Sequence, residues 1–217
     1  MKKQLFAACM ALAAFAAFAV MPAMASAAPT LTAPTGTLLA TGSAVTGTNV
    51  GDTLMTDSSG NVLLRCNKAT MTGTVTTNNS TNGFAGDISS AVFTGDASAD
   101  GECTGTFGNS YVTANIAGGT PYCIKNTKNV DELEVRGGKC SEASRSIKYV
   151  LHSTTLGTCT YERTGGIIGK YTTHPTAAEA TISKSEFTRT SGFCPSAGFL
   201  DMTFALTSGG HTVYVDA

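Results

Sequence analysis

Six cysteines have the types and spacings that promise definite chemistry: Cys66, Cys103, Cys123, Cys140, Cys159 and Cys194. The closest two are 17 residues apart, so there is no C-x-x-C pair of the kind that grips a structural metal. An even set of widely spaced cysteines behind an export signal reads as three disulfides. Fifteen pairings exist in principle. The sequential one, Cys66–Cys103, Cys123–Cys140 and Cys159–Cys194, is expected, because neighbouring segments of an antiparallel sheet lie close and short links cost the least loop closure.

Other chemistry is thinly represented. His152, His174 and His211 stand far apart, with no H-x-H or H-x-x-x-H partner to make a metal pair. There is no G-x-S-x-G around a serine. Glu132 and Glu134 share a strand face beside Asp131, but a glycosidase pair would want aromatic platforms, and the chain has no Trp. Asp96 to Glu102 has oxygen ligands and a glycine, yet misses the D-x-[DN]-x-[DN]-G spacing of a calcium loop at its third position. It reads as a solvated loop. Thr70, Thr72, Thr74 and Thr76 line one strand face without any repeat in register, as exposed strand threonines do. No catalytic residue, metal ligand or cofactor is assigned from these patterns.

The elements that must carry the cysteines are strands. Lys2 and Lys3, the apolar run Leu5 to Val20 and the small residues Ala23 to Ala27 form an export signal over 1–27. Cys9 sits early in that run, where a lipid anchor is not expected. About 190 of the 217 residues remain. Two of the 14 basic residues leave with the signal, against 15 acidic ones, so the exported chain carries about three net negative charges. Without a basic run, that balance argues against nucleic acid and anionic membrane surfaces as partners. No later stretch approaches the roughly 18 apolar residues of a spanning helix.

Residues 28–36, APTLTAPTG, read as a flexible Pro/Thr-rich lead-in. Beyond them, short runs rich in Thr, Val, Ile, Phe and Tyr alternate with Gly, Asn, Asp and Ser clusters, and no window shows a helical period. Leu200, Met202, Phe204 and Leu206 alternate with Asp201, Thr203 and Thr207 in the cleanest strand. Ile147, Tyr149 and Leu151 mark one face of another, and Cys159 and Tyr161 one face of the next. Gly165-Gly166 then suggests a hairpin turn. A three-residue loop, Thr164 to Gly166, would set Tyr161 opposite Gly169 and Cys159 opposite Tyr171.

The pattern predicts an all-β fold, an antiparallel β-sandwich over 37–217 stapled by disulfides, with two small domains split near 126–140 as the alternative. The late set Cys159-Thr160-Tyr161, Gly165 to Gly169, Cys194-Pro195 and Leu200 to Leu206 resembles secreted, disulfide-bonded β proteins of actinobacterial type. That resemblance covers the last third of the chain and implies no function. The expectation is a secreted, non-catalytic module that binds an extracellular ligand or surface. A secreted hydrolase and a structural or adhesion component of the cell envelope are the alternatives.

Overall fold

A computed structural model describes residues 27–95, 102–105, 111–115, 121–129, 131–142, 145–153 and 157–216. Its strands in chain order are β1 (Thr30–Thr32), β2 (Ala44–Asn49), β3 (Thr53–Thr56), β4 (Val62–Cys66), β5 (Lys68–Asn79), β6 (Gly83–Thr94) and β7 (Cys103–Thr104). They continue as β8 (Tyr111–Asn115), β9 (Tyr122–Asn126), β10 (Glu132–Gly137), β11 (Ile147–Ser153), β12 (Gly157–Arg163) and β13 (Ile167–Tyr171). The last are β14 (Glu179–Ser191), β15 (Ala197–Ser208), β16 (His211–Thr212) and β17 (Tyr214–Asp216). There is no helix among the described residues long and apolar enough to cross a membrane.

Many of these strands are halves of longer staves. β2 and β3 follow one another along β15, with Phe204 opposite Asn49 and Leu200 opposite Met55. Their other edges meet β5 and β4, which are themselves consecutive. The same relation carries from β4–β5 to β6–β7, β8–β9, β10–β11 and β12–β13. Both halves of the last stave then lie along β14, and β14 pairs with β15 over most of its length. Eight antiparallel staves in sequence order therefore close into a barrel. This corrects the expected sandwich: β15 returns to β2 and β3 and leaves no open edge between two packed sheets.

The Gly165-Gly166 hairpin is also corrected. β12 pairs with β11 on one side and β14 on the other, so Tyr161 stands opposite Tyr149 and Arg189, and Gly169 opposite Leu133. β14 is long enough to back both β12 and β13. The residues between those two strands make a break in one stave, with Gly165 at φ 85°, a conformation glycine adopts without strain.

Residues 28–36 are not a free lead-in. Thr30–Thr32 is fully buried and pairs with β17, and this two-stranded ribbon closes one end of the barrel. Val213 and Val215 are buried with it, and the backbone N–H groups of Ala178 and His174 donate to their carbonyls. The stretch near 126–140 runs from the end of β9 through β10, and these two strands pair with each other.

All three disulfides follow the sequential scheme. Cys66–Cys103 joins two staves on the inner face, where both sulfurs are buried. Cys159 is likewise buried and ties β12 to the connection between β14 and β15. Cys123 alternates with the inward Tyr122 and Ile124, so its bond to Cys140 pins residues after β10 against the outer wall. There the Cys140 N–H also donates to Asp87 Oδ1 at 2.7 Å. The outer face is polar, with cross-strand ion pairs Lys148–Glu162 at 3.3 Å and Lys125–Glu134 at 3.8 Å.

Candidate functional site

Eight strands leave an interior just wide enough to be filled by side chains or to hold one small ligand. Here the two sides of the interior differ. On the side of β10 to β14, Leu133, Val135, Ile147, Tyr149, Ile167, Ile182 and Phe187 are all buried. Tyr149 stacks on Tyr161 with centroids 5.3 Å apart and meets the Phe187 ring edge-on at 4.8 Å. On the facing wall, Val45, Ile88, Phe93, Ile124, Leu200, Met202 and Leu206 point inward yet are only half-buried. Between the two lies an apolar cavity of about 170 Å³. Leu31, from the ribbon that plugs the barrel, forms part of its lining.

Glycines explain the space. Gly47, Gly73 and Gly86 line the cavity on three adjacent staves, at positions where a barrel interior normally carries side chains. The nearest atoms to a methyl on Gly47 would be side-chain atoms of Phe204 and Leu206, at 3.4–3.5 Å. Gly73 is required by the close approach of the next stave, since a Cβ there would stand 2.5 Å from the Asp87 carbonyl oxygen. Two other inward glycines open no space. The volume beside Gly169 is taken by Leu133 and Ile182, and that beside Gly198 by Met55.

Few polar atoms reach this lining. The Tyr149 hydroxyl donates to Met55 Sδ at 2.7 Å, and burial together with the adjacent Tyr161 pushes its ionisation well up. The Tyr122 hydroxyl donates to the Lys148 carbonyl at 3.3 Å, and burial pushes it up to about 12. Asp87 and Lys148 border the cavity, but their charged ends are committed elsewhere, to the Cys140 N–H and to Glu162. Thr53 borders the cavity and is 1% exposed; its Oγ1 is buried away from the open space and has no hydrogen-bond partner among the described residues.

The residues singled out for chemistry in the sequence do not gather here. Glu134 lies on the outer wall, where the Arg136 guanidinium at 2.6 Å, with Lys125 behind it, holds its carboxyl below the usual carboxylate range. Glu132 accepts hydrogen bonds from Thr127 and Asn129. Asp131, at φ 62°, is exposed in the preceding turn. His174 and His211 are exposed, and the His174 ring sits 5.2 Å from that of Tyr214. The His152 side chain and the Asp96–Gly101 part of the loop weighed as a calcium site lie outside the described residues. Among the described residues no three His, Cys, Asp or Glu side chains cluster as metal ligands do. Cys66 stands opposite Thr53 in the ladder, and Cys123 opposite Asp87, but none of the six cysteines lines the cavity.

Sequence reasoning missed the three glycines. A signal was present: Gly47 falls in register with Val45, and Gly73 with Met71 and Val75, so each takes an inward position of an alternating strand. No protein-family model, curated protein or solved structure matches this chain.

Proposed function

We propose that this chain is an exported, non-catalytic binding protein that carries a small apolar molecule inside its barrel. The supporting observation is the cavity of about 170 Å³ walled by inward glycines. Apolar cavities of roughly 150 Å³ stay dry and take up benzene or xenon. A guest of about benzene to toluene size suits this one. Three disulfides and the 1–27 export signal support an extracellular setting. The charged ladder on the outer wall supports a barrel that faces water, because one embedded in lipid would turn apolar residues outward.

Toluene is a direct probe. It should bind the purified mature protein saturably, shift methyl resonances of Ile88, Leu200 and Leu206, and raise the melting temperature with concentration as a native-state ligand must. Ala180, which lines the cavity, offers the control. Ala180→Leu should keep the β-type circular dichroism and lose toluene binding. If toluene neither shifts those resonances nor stabilises the wild-type protein, the carrier reading is wrong.

A further inference from the structure

We propose that the barrel takes an unfunctionalised hydrocarbon and rejects the same skeleton once it carries a hydroxyl. This rests on the carrier reading and narrows its ligand from any small apolar molecule to one without a hydrogen-bonding group.

Among the described residues, no lining side chain offers the cavity a free hydrogen-bonding group. The half-buried inward side chains, among them Ile88, Phe93, Leu200, Met202 and Leu206, are hydrocarbon or thioether. Polar side chains in the lining are turned away or engaged. Thr72 and Thr74 alternate with the inward Met71 and Val75, and both are exposed on the outer face. Thr53 Oγ1 is buried off the open space. Tyr122 and Tyr149 are buried, and their hydroxyls donate to the Lys148 carbonyl and to Met55 Sδ. The charged ends of Asp87 and Lys148 meet the Cys140 N–H and Glu162.

Backbone groups on the glycine side are engaged where they are most open to question. The ladder between β5 and β6 slips at Thr72 and again at Val75. At the first slip the Thr72 carbonyl accepts from Ser89 Oγ at 3.2 Å. At the second, the Val75 N–H donates to the Ser43 carbonyl at 2.9 Å, and the Val75 carbonyl accepts from the Gly42 N–H at 2.8 Å. Water is no substitute, because a buried water needs two or more polar partners of its own. A hydroxyl on the guest would therefore leave its hydration and find nothing to replace it, which is unfavourable for any buried polar group.

Toluene and phenol have nearly the same shape and differ by a methyl against a hydroxyl. Each is titrated calorimetrically into the purified mature protein at neutral pH, where the phenol hydroxyl is protonated. Phenol should bind about tenfold more weakly than toluene, or worse. Fluorobenzene has a similar shape without an O–H, and should stay within about threefold of toluene. A smaller gap between phenol and toluene would mean that a hydrogen-bonding group reaches the guest; it overturns the inference, while toluene binding keeps the carrier reading. A loss for fluorobenzene as large as that for phenol would make shape the cause and overturns the inference as well. If none of the three probes binds, both readings fall together.

Discussion

The side chain of Asn78 bridges both backbone groups of Leu31: the Leu31 N–H donates to Asn78 Oδ1 at 2.8 Å, and Asn78 Nδ2 donates to the Leu31 carbonyl at 2.7 Å. The same Nδ2 reaches the Leu39 carbonyl at 2.9 Å. The ladder between β5 and β6 shifts between Val75 and Thr77, and that irregularity turns Asn78 to the interior. Asn78 thereby fastens the ribbon of β1 and β17 under the cavity.

Asn78→Ala would leave the Leu31 N–H and two carbonyls without these partners. A loss of about 2–3 kcal/mol of unfolding free energy is expected, read as a lower urea midpoint. Asn79 caps only the exposed turn at Thr81 and Asn82, so Asn79→Ala should cost much less. Equal effects for the two would show that the plug is not held this way.

The inward glycines differ in what they tolerate. Gly47→Ala adds a methyl at ordinary contact distance from Phe204 and Leu206, trims the cavity and restricts the unfolded chain. It should be neutral or stabilising by up to about 1 kcal/mol. Gly73→Ala drives a methyl into the Asp87 carbonyl and should destabilise by about 2 kcal/mol or more. Thermal melts of the two variants give the order, and a stabilised Gly73→Ala would refute the close approach of the two staves.

These contrasts also mark what the sequence could disclose. Alternation at Leu200, Met202, Phe204 and Leu206 is local, because each inward residue is two places from the next, so strand and face were legible. The sequential disulfides were legible too, since consecutive staves are neighbours. Closure was not. Whether β15 pairs with β2 is decided between Phe204 and Asn49, far apart in the chain, and no local pattern encodes it. Gly165-Gly166 carries hairpin chemistry, but the length of β14 overrides it. The cavity was hidden for a related reason: a glycine in a strand pattern reads as a break until the barrel shows which way its missing side chain would point.

Alkaline pH tests the packed half of the interior. Burial pushes the Tyr122 and Tyr161 hydroxyls up to about 12, against 10.0 for an ordinary tyrosine. Tyr149 is pushed well up, and Tyr171 is raised, both chiefly by burial. Between pH 10 and 12 the unfolded chain therefore binds fewer protons than the native one. Their contribution to stability is complete below pH 10 and is lost as pH rises towards 12. Ultraviolet titration should show these four tyrosines ionising late, together with loss of the β signal. Ionisation of all six tyrosines near pH 10 with the fold intact would contradict the packing.

Reduction of the disulfides should follow burial and not loop size. The linked cysteines are 37, 17 and 35 residues apart. Loop-closure entropy then gives about 4, 3 and 4 kcal/mol, too close to rank them. Access differs more. Cys66, Cys103, Cys123, Cys159 and Cys194 are all buried, at 5% exposure or less, whereas Cys140 is half-buried on the outer wall and offers the one open sulfur. An attacking thiolate must reach a sulfur, so dilute dithiothreitol should open Cys123–Cys140 first. Alkylation and peptide mapping at early times should find label on Cys123 and Cys140 alone. That species should retain its β signal and its toluene binding, because the broken bond lies outside the barrel. Early label on Cys66 and Cys103 would mean instead that the inner wall beside Thr53 opens more readily than the outer one.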